Sequence, residues 1–269
     1  MNLETLLSNT IFYKNKYIRL ILLKIYHFFI FSPLFWLKNG PKLIINGAPK
    51  TGTHLLTSIL NEVPELVNTR YDVSMWKIDK NDNYHDHIQK WEPSKVKFAK
   101  ELNKIMNGQF VLSHMPFHKH IYEVLEDKNI KMINITRDTN EVLQSKLNYI
   151  EKLDRHYAHK TLKKFKNKEL KIEALKSGFV TEEGYVVNAH NDGYKAFKPW
   201  TLLNNEIVLN IKFNDLAGSK KGFSDEVRKE SIKKILKFLN VPINNNIVNK
   251  IHLNAIKTKS FTLSDKVKQ

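Results

Sequence analysis

Short apolar runs alternate with turn signals and helical patterns along this chain. Lys42-Leu43-Ile44-Ile45-Asn46 reads as a buried strand, followed by a turn over Gly47–Gly52 and a helix over Thr53–Glu62 with Leu55, Leu56, Ile59 and Leu60 on one side. Phe110–Ser113 (FVLS) predicts a second strand. Ile130–Thr136 (IKMINIT) predicts a third, with a helix after it from about Asn140 to Glu151. Ile207–Phe213 (IVLNIKF) is the fourth. Beyond it Ser224 is a suitable N-cap, Asp225 and Glu226 suit a first helical turn, and Val227, Ile232, Ile235, Leu236 and Leu239 make an apolar stripe that ends before Pro242. Residues 68–94 are mixed and polar, hold Trp76, His85, His87 and Trp91, and read as a long functional loop. Strands separated by helical stretches imply βαβ units. The expected fold is therefore α/β, a single domain with a central mostly parallel sheet and helices on both faces. No internal repeat or linker divides it.

The most apolar stretch, Ile18 to Leu37, stands apart from this pattern. Arg19, Lys24, His27 and Pro33 interrupt it, and a spanning helix needs about 20 apolar residues. No small-residue cleavage site follows. Three readings stay open: an interfacial helix with a basic face, a short signal anchor, or an apolar helix packed on the domain. Residues 1–40 are accordingly set apart as an N-terminal segment, with the domain proper over 41–269. A cytoplasmic protein is expected, membrane-associated on the first of these readings.

Composition narrows the chemistry. Of 269 residues, 42% are hydrophobic and only 9 are Gly and 8 Pro, which fits a globular chain with a sizeable core. With no cysteine, a disulfide scaffold, a thiolate metal site and a Cys nucleophile are excluded. The net charge of +17 suits an anionic partner, but only five of the 44 basic residues are arginine and the lysines are spread along the whole length. The densest run, Lys160 to Lys176, contains Leu162, Phe165, Ile172 and Leu175 at helical spacing, so it reads equally as a dock for an anionic acceptor and as a solvated face over packed residues. Aromatic and basic residues are not interleaved as in a nucleic-acid module, and no nucleic-acid partner is expected. The His85/His87 and His118/His120 pairs lack an evident third ligand, and no metal site is expected.

The strand–turn–helix over 42–62 is an anion cradle, because unpaired backbone N–H groups and the positive end of the helix dipole face one point. Gly47 and Gly52 have P-loop spacing, yet the next residues are Thr53 and His54 where a Walker loop has Lys-Ser/Thr, so the Mg²⁺-binding hydroxyl is missing. The lysine lies inside the loop, as Lys50. Arg137 ends a buried strand at the carboxyl edge of the sheet, where its planar fork suits a phosphate. His114 follows another strand and is a candidate general base.

Pro49-Lys50-Thr51-Gly52-Thr53 resembles the phosphosulfate loop of sulfotransferases that use 3′-phosphoadenosine 5′-phosphosulfate (PAPS). Three further segments follow in that family's order: Ser113-His114-Met115-Pro116, Ile133-Asn134-Ile135-Thr136-Arg137-Asp138 with Ser145, and Lys212-Phe213-Asn214-Asp215-Leu216 with the helix after it. The resemblance implies a PAPS-dependent, metal-independent enzyme releasing 3′,5′-phosphoadenosine. Its cofactor-binding residues would be Pro49, Lys50, Thr51, Gly52, Thr53, His54, Arg137 and Ser145, with Lys50 and His114 catalytic. The acceptor would be a hydroxyl or amine on a carbohydrate, lipid or small molecule, anionic glycans and lipids among them. The chain departs from the family at Leu112, where cytosolic members carry lysine, at Phe213 for tyrosine, and in the C-terminal Arg-Lys-Gly motif, of which Lys259–Leu263 is the nearest trace. Two rival readings remain: a P-loop kinase of a small molecule, and a non-catalytic binder of nucleotide or anionic glycan.

Overall fold

In the computed structural model, which describes residues 16–30, 39–80 and 91–257, β1 (Leu43–Asn46) is buried along its whole length. Its unbroken apolar run suits a central parallel strand covered on both faces. It pairs in parallel with β3 (Gln109–Ser113) on one side and β4 (Lys131–Thr136) on the other. With β2 (Val67–Val73) outside β3, and β7 (Val208–Lys212) outside β4, the sheet order is β2-β3-β1-β4-β7, all parallel. A separate antiparallel hairpin joins β5 (Phe179–Val180) to β6 (Val186–Val187).

Strand side chains alternate between faces, so successive residues feed two cores. Leu43, Ile45, Ile133, Ile135 and Ile211 pack with α2 (Thr53–Leu60), α10 (Asp225–Phe238) and α11 (Asn245–Lys257). Ile44, Val111, Met132 and Val208 face the opposite way, onto α3 (Lys95–Leu102), α4 (Lys119–Asp127) and Trp200. The expectation of helices on both faces of a parallel sheet is met. A third, smaller cluster unites α5 (Thr139–Lys152), α6 (His159–Lys163), α7 (Lys168–Ser177) and the hairpin through Leu147, Ile150, Leu162, Leu175 and Val187. It caps one side of the sheet's carboxyl edge. The remaining helices are α1 (Lys16–Ile30), α8 (His190–Lys195) and α9 (Phe213–Ala217).

The expected cap forms at Ser224, whose Oγ accepts the Val227 N–H, and Asp138, not singled out in the sequence, accepts the N–H groups of Asn140 and Glu141. Three expectations need correction. The stretch 68–94 is not a continuous loop, because its first residues form β2. That edge strand carries polar residues and a register break between Asn68 and Asp72, with Arg70 at φ 55°, which hides its period. Phe213 opens α9 rather than closing the fourth strand. Val227 is 45% exposed and leaves the apolar stripe of α10, while Ile232, Ile235, Leu236 and Leu239 stay buried. The Lys160–Lys176 run is two helices, and its Lys160, Lys164, Lys171 and Lys176 pair with Glu183, Glu182, Glu151 and Glu173. Leu162, Ile172 and Leu175 pack beneath these lysines, as the solvated-face reading expects. His85, His87, residues 31–38 of the apolar stretch and Lys259–Leu263 lie outside the described residues.

Candidate active site at the carboxyl edge of the sheet

The chain runs from β1 to the β2/β3 side, then crosses back to β4, so the carboxyl ends of β3, β1 and β4 lie side by side at the reversal of strand order. Open α/β sheets bind ligands at this point. His114 follows β3, the loop 47–52 follows β1, and Arg137 follows β4. Three segments distant in sequence become neighbours because their strands are.

Backbone geometry shapes the loop. Lys50 has φ 73° and Gly52 φ 112°, both left-handed, and Gly52 opens α2 without any side-chain cap. Helix α2 therefore keeps its terminal N–H groups for an anion. A Cβ on Gly52 would strike the Phe213 ring, so the loop lies directly on that ring. Thr51 is buried; its hydroxyl donates to the Ala48 carbonyl at 2.7 Å and closes the turn. Thr53 is buried as well, whereas Pro49 and His54 are exposed at the rim. Both threonines thus support the loop from beneath.

The Lys50 ammonium lies 3.0 Å from the centroid of the Tyr149 ring. Burial pushes its pKa down to about 8. A desolvated ammonium held on an aromatic face gains when an anion arrives. The His114 Nδ1 lies 2.6 Å from the Gly47 carbonyl oxygen. A carbonyl only accepts, so Nδ1 carries the proton and Nε2 keeps its lone pair. This bond also ties the base to the first residue of the loop. Asn46 holds the bend carrying His114 from below: its Oδ1 accepts the Met115 N–H at 2.8 Å and its Nδ2 donates to the Met115 carbonyl at 3.1 Å. Trp200 Nε1 donates to the same carbonyl. A buried backbone group left without such a partner costs about 1–3 kcal/mol, so this clamp fixes where His114 starts.

Arg137 is mostly buried. Its Nε donates to Glu141 at 2.8 Å, its Nη1 reaches the Lys50 carbonyl at 3.4 Å, and its guanidinium lies 4.1 Å from the Phe213 ring centroid. Phe213 supports both the loop and the arginine. Glu141, Ser145 and Tyr149 are spaced four apart on α5 and share one face. Since Glu141 meets Arg137 and Tyr149 meets Lys50, Ser145 sits on the stripe turned to the loop. A cleft of about 280 Å³, open mouth included, lies beside it between Ala48, Thr51, Thr136, Tyr194 and Lys198.

The structure thus gathers the loop 49–54, His114, Arg137 and the Ser145 face at one edge. Asn46, Tyr149 and Lys146 escaped the sequence reading. An asparagine closing a strand gives no local signal of a clamp, and only helical spacing from Ser145 could have drawn attention to Tyr149. His118 is committed otherwise, its Nδ1 accepting the His120 N–H at the start of α4.

A sulfotransferase domain profile matches residues 40–269 of the chain. No curated protein matches the sequence. Among solved structures, a mouse sulfotransferase complexed with PAP is similar at TM-score 0.52 and 19% identity, over 82% of this chain and 68% of that one. Looser likenesses include a retinol dehydratase with androsterone and inactive cofactor PAP (TM-score 0.45, 12% identity, 85% and 68% covered). A sulfotransferase domain from the curacin biosynthetic pathway is similar at TM-score 0.41 and 15% identity, over 80% and 78%.

Proposed function

This chain belongs to the sulfotransferase domain family, and from that premise we propose that it moves a sulfuryl group from PAPS to a hydroxyl or amine of a carbohydrate, lipid or small-molecule acceptor. The observation that carries the reading is the convergence of an uncapped, lysine-bearing loop with a histidine whose Nε2 is left as a proton acceptor. PAPS supplies the sulfuryl group, and 3′,5′-phosphoadenosine is the product. The residues fit such a donor. The α2 N-terminus and Lys50 take the 5′-phosphosulfate end; Arg137, with Ser145 on the neighbouring face, takes the 3′-phosphate. Lys50 stabilises the charge that grows on the leaving phosphate, and His114 Nε2 removes the acceptor proton as its oxygen or nitrogen attacks sulfur. Thr53-His54 follow Gly52 where a Walker loop has Lys-Ser/Thr, so His54 stands at the position whose hydroxyl would hold Mg²⁺, which favours this reading over a kinase.

Thermal unfolding tests it. At 100 times its dissociation constant, 3′,5′-phosphoadenosine should add about 2.7 kcal/mol, seen as a rise in Tm of about 5–10 °C. Mg-ATP should add less, and an equal gain from Mg-ATP would restore the kinase reading. Retained binding without transfer from labelled PAPS to any pool of glycans, lipids or phenols would leave the non-catalytic reading.

We also propose that α1 lies at a membrane surface. One side of it docks on the domain, Tyr26 donating to the Asn68 carbonyl at 2.6 Å and His27 lying against Tyr71. The other side exposes Ile21, Ile25, Phe28 and Phe29, with Lys24 exposed beside them. No helix among the described residues is long and apolar enough to cross a membrane. The protein should sediment with vesicles containing anionic lipid and be released by high salt. Replacing Ile25 and Phe28 by serine should weaken that association about tenfold or more. Equal sedimentation of the double variant would refute the assignment.

A further inference from the structure

Beside Lys50 stand α5 and the turn after it, which bring Tyr149, Lys146 and His156 towards the ammonium. Tyr149, under the Lys50 ammonium, meets the His156 ring edge-on at 5.8 Å. His156 stacks on Tyr157 at 4.5 Å, and Tyr157 lies 5.7 Å from Tyr185 of the hairpin. Lys146 is one helical turn before Tyr149. It is partly buried, and among the described residues no carboxylate lies within ion-pair distance of it. The nearby acids are engaged elsewhere: Glu141 with Arg137, Glu151 with Lys171, Asp154 with His159. A lysine lifted out of water without an anion is unfavourable, and simple snorkelling to solvent does not account for a second basic group beside it. That group is oriented. His156 Nδ1 accepts the Ala158 N–H at 3.1 Å, so the neutral ring carries its proton on Nε2, as a donor.

We propose that Lys146 and His156 form an acceptor-side anion subsite, so that the preferred acceptor carries a carboxylate, phosphate or sulfate ester beside the group to be sulfated. This rests on the transferase reading above and names the acceptor class for that same site. The electrostatics agree: burial, then Lys146, Lys50 and His159, push His156 down to about 4. Lys146 also bears on His190, which burial holds below its usual value. The groups facing His156 are thus Lys50 from the loop, Lys146 and Tyr149 from α5, Tyr157 from the turn and His159 from α6. Asp154 lies 3.5 Å from His159 Nε2. An oxyanion on Lys146 would favour protonated His156 and raise its titration midpoint.

The probe is inorganic sulfate, added to protein saturated with 3′,5′-phosphoadenosine at ionic strength matched with chloride. Histidine side-chain NMR follows His156 against pH. The expected result is a rise in its midpoint from about 4 by about one pH unit or more, abolished in Lys146→Gln and kept in Lys146→Arg. No rise in the wild type overturns the proposal. A rise that survives Lys146→Gln, or vanishes in Lys146→Arg, also overturns it, the first by placing the anion at Lys50. If 3′,5′-phosphoadenosine itself fails to bind, the transferase reading falls. The sulfate titration of the free protein still decides the subsite.

Discussion

His114→Ala is expected to lower turnover by about 10²–10⁴-fold, the usual worth of a positioned general base, with little change in affinity for 3′,5′-phosphoadenosine. The asymmetry follows from geometry. The ring touches the loop only through Nδ1–H and the Gly47 carbonyl, whereas the loop's shape depends on the Thr51–Ala48 turn, on Gly52 and on Phe213. Asn46 and Trp200 hold Met115 whatever side chain precedes it. Removing the imidazole therefore deletes a proton acceptor and leaves the cradle standing. Transfer from labelled PAPS, measured beside calorimetric binding of 3′,5′-phosphoadenosine, separates the two quantities. Wild-type turnover in the variant would move the base elsewhere, with His120 the nearest candidate, since His118 is engaged at the start of α4.

Lys50→Ala is expected to damage both quantities at once. Charged hydrogen bonds are worth about 1.5–3 kcal/mol, so affinity for 3′,5′-phosphoadenosine should fall roughly ten- to a hundredfold. Turnover should fall by a further 10²–10³, the scale on which one stabilising donor acts in a transition state. The lysine also writes a pH signature. Burial sets its pKa at about 8 in the free protein; below that pH the ammonium is present, and above it the charge is lost. A bound anion favours the charged form and carries the proton to higher pH. Affinity in the wild type should therefore be flat up to about pH 8 and then weaken roughly tenfold per pH unit, the slope of a single linked proton. Lys50→Ala should show no such break. A flat wild-type profile would mean that Lys50 does not face the ligand.

These outcomes rest on features of unequal visibility in the sequence. The loop was legible because its chemistry is local: a buried run, two glycines and a helix start lie within twenty residues, although the left-handed Lys50 gives no such signal. Ser224 was legible as a cap for the same reason, since a short side chain reaches only its own neighbours' N–H groups. His114 and Arg137 were legible as strand ends, by motif and by the rule that ligands bind at the carboxyl edge of such sheets. β2 escaped because an edge strand needs little apolar pattern, and its register break removes the alternation that remains.

Four of the five sheet strands, the helices α2, α5 and α10, the parallel character of the sheet and the residue types at the strand ends could all be read along the chain. Which of those ends meet, and what meets them, depends on packing. Strand order placed β3 and β4 on either side of β1 and so joined His114, Lys50 and Arg137 across gaps of 64 and 87 residues. Phe213 became the floor under Gly52 and Arg137, Tyr149 the bed of Lys50, and Asn46 the clamp on Met115. The direction of burial pushing Lys50 and His156 down belongs to the fold as well. The reason is the range of the forces: backbone preference and periodicity act over a few residues and can be read along the chain, whereas desolvation, ring contacts and charge act through space, and depend on neighbours that only the packed chain supplies.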